Sequence, residues 1–265
     1  MTTAHESTNA APSAPWVQHG DNQLATGLQQ AANQAGVTAL AFEVAAAPPT
    51  ALADALPGQP RVLWRARDGA MHAGIGAAIT LHADGDARFT AIAEQAAAVT
   101  WHTQGVAHGP RFFGGFAFCA GGADDPAWRG FGDAWFMLPR WNYQGTTLTL
   151  FVGQEELQRQ PSLAEQLQRE LATLRECLQK RGTLRAVAAH DGASPLPAAR
   201  YASPQAQTQW RAHIEDIVAQ IRRGAAAKIV AARHIDIGMA APVELGALVE
   251  TLWSQQPHCY GIAIS

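Results

Sequence analysis

The chain has 265 residues and a net charge of −3, with 48% hydrophobic and 15% charged residues. This composition is typical of a soluble globular protein that is long enough to bury a sizeable core. The basic residues form no cluster, which argues against nucleic acid as a partner, and no apolar run reaches the ~18 residues of a membrane span. The three cysteines are far apart and the amino terminus has no signal-peptide pattern, so we expect a cytoplasmic protein.

The amino-terminal part predicts a tail followed by a helix and three strands. Residues 1–20 are rich in Ala, Ser, Thr and Pro and predict a disordered tail. A short helix is expected at 22–35 and a strand at 37–46. The apolar runs at 61–69 and 71–81 predict two strands, and the Asp68-Gly69 dipeptide between them is a strong hairpin signal.

The middle of the chain predicts an antiparallel sheet with helices on one face. Phe89, Ile92, Ala96 and Val99 recur at helical spacing and predict a helix over 86–101. Three aromatic strands separated by glycines are expected next, at 111–118, 133–141 and 146–153. A binding cleft is conceivable in this aromatic region, but aromatic strands of this kind more often form core.

The remaining sequence alternates helices and strands around one linker. Leucines in steps of three and four predict a helix from Pro161 to Gly182. A second helix is expected from Ser203, as N-cap, to Gly224. The other predicted elements are a strand at 183–189, a linker at 190–204, a strand at 227–237, a helix near 243–255 and a strand over the final residues, 258–265.

Several short motifs are better explained by structure than by chemistry. The stretch AGIGAAI at 73–79 lacks the third glycine of a dinucleotide-binding fingerprint, and no predicted helix follows it. Two glycines in a tightly packed strand are the preferred interpretation. The ten histidines show no metal-binding spacing, and no G-x-S-x-G nucleophile motif is present.

Lys228 is the best candidate for a catalytic residue. Seventeen of the nineteen basic residues are arginine, yet this one, in the stretch GAAAKIVAAR, is a lysine among small apolar residues. Burial lowers the pKa of a lysine, so a partly desolvated Lys228 could act as a base near neutral pH. The alternative is a lysine at the start of a strand whose amine reaches water. Strand alternation places Arg233 on the opposite face, which predicts at most a supporting role.

Four segments together resemble one enzyme family. They are VLWRARDGAMHAGIGAA, RFFGGFAF, the W and FMLPR at 135–140, and SPQAQTQWRAHIEDIVAQIRRGAA followed by KIVAAR. In order and spacing they are similar to the N-terminal half of isochorismate synthases, within the chorismate-utilising enzymes. The resemblance covers about residues 35–265. It implies an α/β fold of the α+β type, with antiparallel sheets and packed helices as in anthranilate synthase component I, here truncated.

The resemblance also implies a reaction. Isochorismate and salicylate synthases carry a lysine at the head of this strand that activates water, whereas the ammonia-using relatives typically carry glutamine. Lys228 would then be the general base that directs water to C2 of chorismate. A glutamate acid would protonate the departing C4 hydroxyl, and Mg²⁺ would hold the substrate carboxylate. The family's acid and metal ligands follow later in the sequence, so no metal ligands are expected within this chain and they would lie beyond Ser265.

The domain organisation implied by the resemblance has four parts. After the tail, residues 21–189 form the N-terminal α/β region, 190–204 form the linker, and 205–265 begin an incomplete chorismate-binding catalytic region. The product would serve menaquinone or siderophore and salicylate biosynthesis. Two alternatives stay open: a salicylate synthase of the same family, and a truncated, non-catalytic relative that acts only in binding.

Overall fold

The fold is built on an eight-stranded sheet flanked by helices. The computed structural model describes residues 15–103, 105–106, 108–122, 128, 130–184, 204–232 and 244–265. The strands are β1 (Val37–Glu43), β2 (Arg61–Arg65), β3 (Met71–Ala83), β4 (Trp101–His102), β5 (Phe113–Phe116), β6 (Ala134–Gln144), β7 (Thr147–Gly153) and β8 (Gly261–Ile264). The helices are α1 (Pro15–Ala31), α2 (Arg88–Ala97), α3 (Gln154–Arg159), α4 (Leu163–Leu184), α5 (Pro204–Arg222) and α6 (Leu245–Gln255), with one 3₁₀ turn at Pro49–Leu52.

The sheet has the strand order β4-β1-β7-β6-β3-β2-β8, and β5 pairs with β6 beside this path. Every strand pair is antiparallel except β1 and β4. Helices α1, α4 and α6 bury apolar side chains in the same core cluster as β1, β3, β6 and β7. The α+β fold class expected from the sequence is therefore confirmed.

The described residues fall into two units. The larger one contains residues 15–184 and 244–265, so β8 pairs with β2 within it. The smaller one contains residues 204–232, that is, α5 and the segment that follows it. The predicted linker at 190–204 lies outside the described residues, apart from Pro204 at the start of α5. No helix in the described ranges is both long and apolar enough to cross a bilayer.

Most of the predicted helices and turns are present, with shifted ends. Helix α1 begins at Pro15, inside the segment predicted as a tail, and residues 1–14 are not described. The Asp68-Gly69 hairpin is confirmed, because the Asp68 carboxylate accepts the backbone N–H of Ala70 and Gly69 has a φ of +90°. Gly224 ends α5 with a φ of +77°, a conformation that favours glycine.

The leucine pattern of α4 forms the centre of the core. Five leucines on one face of this helix are at most 3% exposed. They are Leu163, Leu167, Leu171, Leu174 and Leu178. The helix continues to Leu184, so Gly182 does not end it and the strand predicted from residue 183 does not start there. A long apolar stripe with no proline sustains the helix, and glycine within a helix costs only about 1 kcal/mol.

The two glycines of AGIGAAI lie in the closely packed strand β3, as the sequence analysis predicts. A Cβ atom on Gly74 would lie 2.3 Å from Cγ of Pro139 and 2.8 Å from Cγ1 of Val62. Gly76 has a φ of +67°, just before the register of β3 on β6 shifts between Ala77 and Ile79. Neither glycine precedes a helix, so the dinucleotide-binding motif is absent at this place.

Gly74→Ala is expected to destabilise the protein by about 1–3 kcal/mol, because the added methyl group overlaps Pro139 and Val62 in a packed sheet. Gly115→Ala is the matched control, since a Cβ there meets nothing within 4 Å. Urea denaturation of both variants measures the difference. Equal stabilities for the two would show that the sheet adjusts freely around Gly74.

Candidate functional site

Lys228 lies in the smaller unit, in the segment that follows the end of α5 at Gly224. The turn at Gly224 is closed by hydrogen bonds from its N–H to the carbonyl of Ile221 and from Ala225 N–H to Gln220. Residues 226–232 have no helix or strand, and the Lys228 side chain is exposed. Water therefore reaches the amine, whereas the desolvation expected from the sequence is not seen in the described structure.

The strand predicted over 227–237 is wrong for its first six residues. Residues 227–232 pair with no strand of the described chain, and residues 233–237, including Arg233, lie outside the described ranges. An extended segment becomes a stable strand only when a neighbour takes up its N–H and C=O groups. The supporting role of Arg233 and the general-base role of Lys228 stay predictions.

A cavity of about 170 Å³ lies in the larger unit beside a buried ion pair. Arg140, on β6, donates two hydrogen bonds to the Glu156 carboxylate on α3, at 2.5 and 2.6 Å. The same guanidinium also donates to the backbone carbonyls of Ala77 and Phe151. Four of the five N–H groups of Arg140 are therefore engaged by these acceptors, so it holds α3 on the sheet.

The second carboxylate in this cavity is also engaged. Glu170, on α4, accepts the indole N–H of Trp141 at 2.7 Å and the amide of Gln166 at 2.8 Å. Trp141 is 1% exposed, so its N–H needs a partner inside the protein. These contacts link α4 to β6. The polar groups of the cavity therefore hold structural elements together, and nothing about them indicates a ligand.

The described residues do not fit a metal site. They contain no group of three or more His, Cys, Asp or Glu side chains that could hold an ion. His102 contacts the backbone carbonyl of Ala35 at 2.8 Å, and the three cysteines form no disulfide. The described side chains therefore form no preassembled group of three or more ligands for the magnesium ion that the family resemblance implies.

Among the described residues, His72 on β3 has a strongly lowered pKa. It is 1% exposed, and burial, together with the positive charges of Arg111 and His108, lowers its pKa from 6.5 to about 4. Arg111 Nη1 lies 2.7 Å from Nε2 of His72. The rings of Trp64 and Phe113 enclose the imidazole, with centroids at 5.2 and 6.1 Å. This histidine is therefore neutral in the folded protein at neutral pH.

The pKa of His72 predicts acid destabilisation. Between pH 6.5 and about 4 the unfolded chain binds a proton that the folded chain does not bind, so stability falls as pH falls through this window. From pH 7 to pH 5 the loss should be about 2 kcal/mol. Urea titrations at both pH values test this, and His72→Gln should remove most of the slope. An unchanged slope in that variant would assign the pH dependence to other groups.

Sequence reasoning missed the contacts of Arg140 with Glu156 and of Arg111 with His72. Arg140 stands in the apolar strand sequence FMLPRW, and an arginine in such a place signals a buried partner. Its partner Glu156 is sixteen residues away on another element, and nothing local identifies it. His72 and Arg111 are thirty-nine residues apart and come together only through pairing across the sheet.

The sequence profile of the chorismate binding enzyme family matches residues 22–265. The chain belongs to that family. Among solved structures, it is similar to MenF, the menaquinone-specific isochorismate synthase from Escherichia coli, with a TM-score of 0.41 and 16% identity. The similarity covers 92% of this chain and 53% of that chain, so this chain spans about half the length of that enzyme. No curated protein matches the sequence.

Proposed function

We propose that the chain supplies the general base, Lys228, of an isochorismate synthase that acts on chorismate. Two observations support this: membership of the chorismate binding enzyme family over 22–265, and a lysine in the stretch KIVAAR within that match. The lysine is the reason for proposing water, and not ammonia, as the nucleophile. An amine can take a proton from water, whereas the glutamine typical of the ammonia-using relatives cannot act as a base.

The proposed step is an addition of water with loss of a hydroxyl group. The neutral amine of Lys228 takes a proton from water as the water oxygen bonds to C2 of chorismate. The ring double bonds shift, the C4–O bond breaks, and the departing hydroxyl takes up a proton from an acid and leaves as water. Product and substrate are therefore isomers.

The lysine must be neutral to act, and burial favours the neutral form of an amine. In the described structure Lys228 is exposed beside alanines and Ile229. We propose that the substrate ring covers the amine when it binds and so supplies the missing desolvation. The acid and the Mg²⁺ of the family stay predictions, and no step is assigned to the metal.

Turnover of chorismate in ¹⁸O-labelled water, by an enzyme that contains this chain together with the acid and metal ligands of the family, tests this proposal. We expect isochorismate with one ¹⁸O atom, identified by liquid chromatography and mass spectrometry, and no amino product when ammonium is added. Unlabelled product, or an amino product, would rule out lysine-activated water. Absence of turnover by that complete enzyme in the presence of Mg²⁺ would overturn the enzymatic proposal and favour the non-catalytic alternative.

The same assay separates the two family activities. A salicylate synthase eliminates pyruvate from isochorismate, so salicylate and pyruvate would accumulate in equal amounts. Isochorismate as the stable product, with no pyruvate detected by lactate dehydrogenase coupling, is the result expected from the proposal.

A further inference from the structure

Arg111 is a cation oriented by a buried histidine. Its side chain is exposed, just before β5, while its partner His72 is 1% exposed. A guanidinium group can only donate hydrogen bonds, so Nε2 of His72 accepts and the ring proton resides on Nδ1. The 2.7 Å contact therefore fixes the position of the guanidinium and uses one of its five N–H groups.

The positive charge of Arg111 has no carboxylate partner among the described residues. Two other exposed arginines of the same unit do have one: Arg159 pairs with Glu155, and Arg169 pairs with Glu165. The local potential is therefore positive and favours an anion.

Flat aromatic surface lies directly beside this cation. The guanidinium carbon of Arg111 is 5.9 Å from the Trp64 ring centroid. Tyr260, which precedes β8 and is 71% exposed, has its ring centroid 6.5 Å from that of Trp64 on the same unit. Phe113, beneath them, is buried and lies 6.5 Å from Trp64. Trp64 and Phe113 lie on strands of the sheet, so the Trp64 ring can receive a ligand at a low ordering cost.

We propose that Arg111, His72, Trp64 and Tyr260, which we call the Arg111 site, bind a small carboxylate carried on a flat ring. The free N–H groups of Arg111 would hold the two carboxylate oxygens, because guanidinium and carboxylate match in a bidentate geometry. The ligand ring would stack on Trp64 and Tyr260. His72 is a positioning residue that acts through Arg111. The Arg111 site is in the larger unit and Lys228 is in the smaller one, so this inference does not rest on the proposed function.

Benzoate is the probe for the Arg111 site, and benzamide and cyclohexanecarboxylate are its controls. Benzamide keeps the ring and loses the charge, whereas cyclohexanecarboxylate keeps the charge and loses the flat ring. We expect benzoate to bind to the protein by isothermal titration calorimetry, and each control to bind about tenfold more weakly or less. Equal binding of benzamide, or no benzoate binding at millimolar concentration, would overturn the proposal.

Arg111→Gln should weaken benzoate binding by about tenfold or more, because it removes the charged, bidentate donor. Arg67→Gln is the matched control, an exposed arginine at the turn between β2 and β3 that should bind benzoate like the parent protein. Thermal melts verify that both variants are folded. Unchanged affinity in folded Arg111→Gln would rule out the Arg111 site.

Two substitutions of His72 test whether this residue positions Arg111 or only fills space in the core. His72→Gln keeps an acceptor for Arg111 and should retain benzoate binding within about threefold, whereas His72→Leu removes the acceptor and should lose most of it. The comparison is made on variants whose melts show a folded protein. Equal affinities in the two variants would show that His72 does not orient Arg111.

Discussion

In an enzyme that contains this chain together with the acid and metal ligands of the family, Lys228→Ala is expected to reduce the formation of isochorismate from chorismate by about 10²- to 10⁴-fold, the usual contribution of a general base. The amine that takes the proton from water is lost, while the fold should be unaffected because the side chain is exposed. The measurement is the initial rate of product formation by liquid chromatography, together with a thermal melt. A rate within about tenfold of the parent protein would contradict the assignment of Lys228 as the base.

Lys180→Ala is the control for this substitution, since Lys180 is the only other lysine in the chain. Lys180 lies on α4 and forms an ion pair with Glu176 at 2.6 Å, with 70% of its side chain exposed. Its loss should leave the turnover rate unchanged. A comparable fall in rate in both variants would indicate a general effect of charge and not a base at Lys228.

Glu156→Gln is expected to lower the free energy of unfolding by about 3 kcal/mol, because it leaves the positive charge of Arg140 buried without its counter-ion. The side chain of Arg140 is 11% exposed and that of Glu156 is 31% exposed. Glutamine keeps the size of the side chain, so the loss reports on charge and hydrogen bonding. Urea denaturation at neutral pH gives the value.

Glu155→Gln, on the same helix, is the matched control. Its ion pair with Arg159 is exposed on both sides, and such pairs contribute about 0–1 kcal/mol. A loss in Glu156→Gln as small as the loss in Glu155→Gln would show that water enters the cavity and solvates Arg140. The difference in stability loss between the two neighbouring glutamate variants therefore tests whether Arg140 is shielded from water.

Elements with strong local signals could be predicted from the sequence. Helix α4 follows from the spacing of its leucines, and the β2–β3 hairpin follows from Asp68-Gly69. The first and last residues of the helices could not be predicted as closely, because contacts with neighbouring elements extend or shorten a helix beyond its local signal. Helix α4 continues through Gly182, and α1 begins at Pro15.

The strand predicted at Lys228 is absent because the described chain offers it no neighbouring strand. Its alternation of apolar residues is a local property, whereas a strand forms only where a partner is available, and residues 227–232 have none in the described chain. The exposure of Lys228 follows from the same cause. The proposed role of Lys228 therefore rests on the sequence and on family membership, because the described structure does not bury its side chain.

The α+β class, the order of most elements, the family and the unusual lysine at 228 could all be predicted from the sequence. Which distant polar groups meet could be seen only in the folded chain: Arg140 contacts Glu156, and His72 contacts Arg111. The physical reason is that periodicity and turn signals act over a few residues, whereas such contacts depend on strand register and helix packing across the whole sheet.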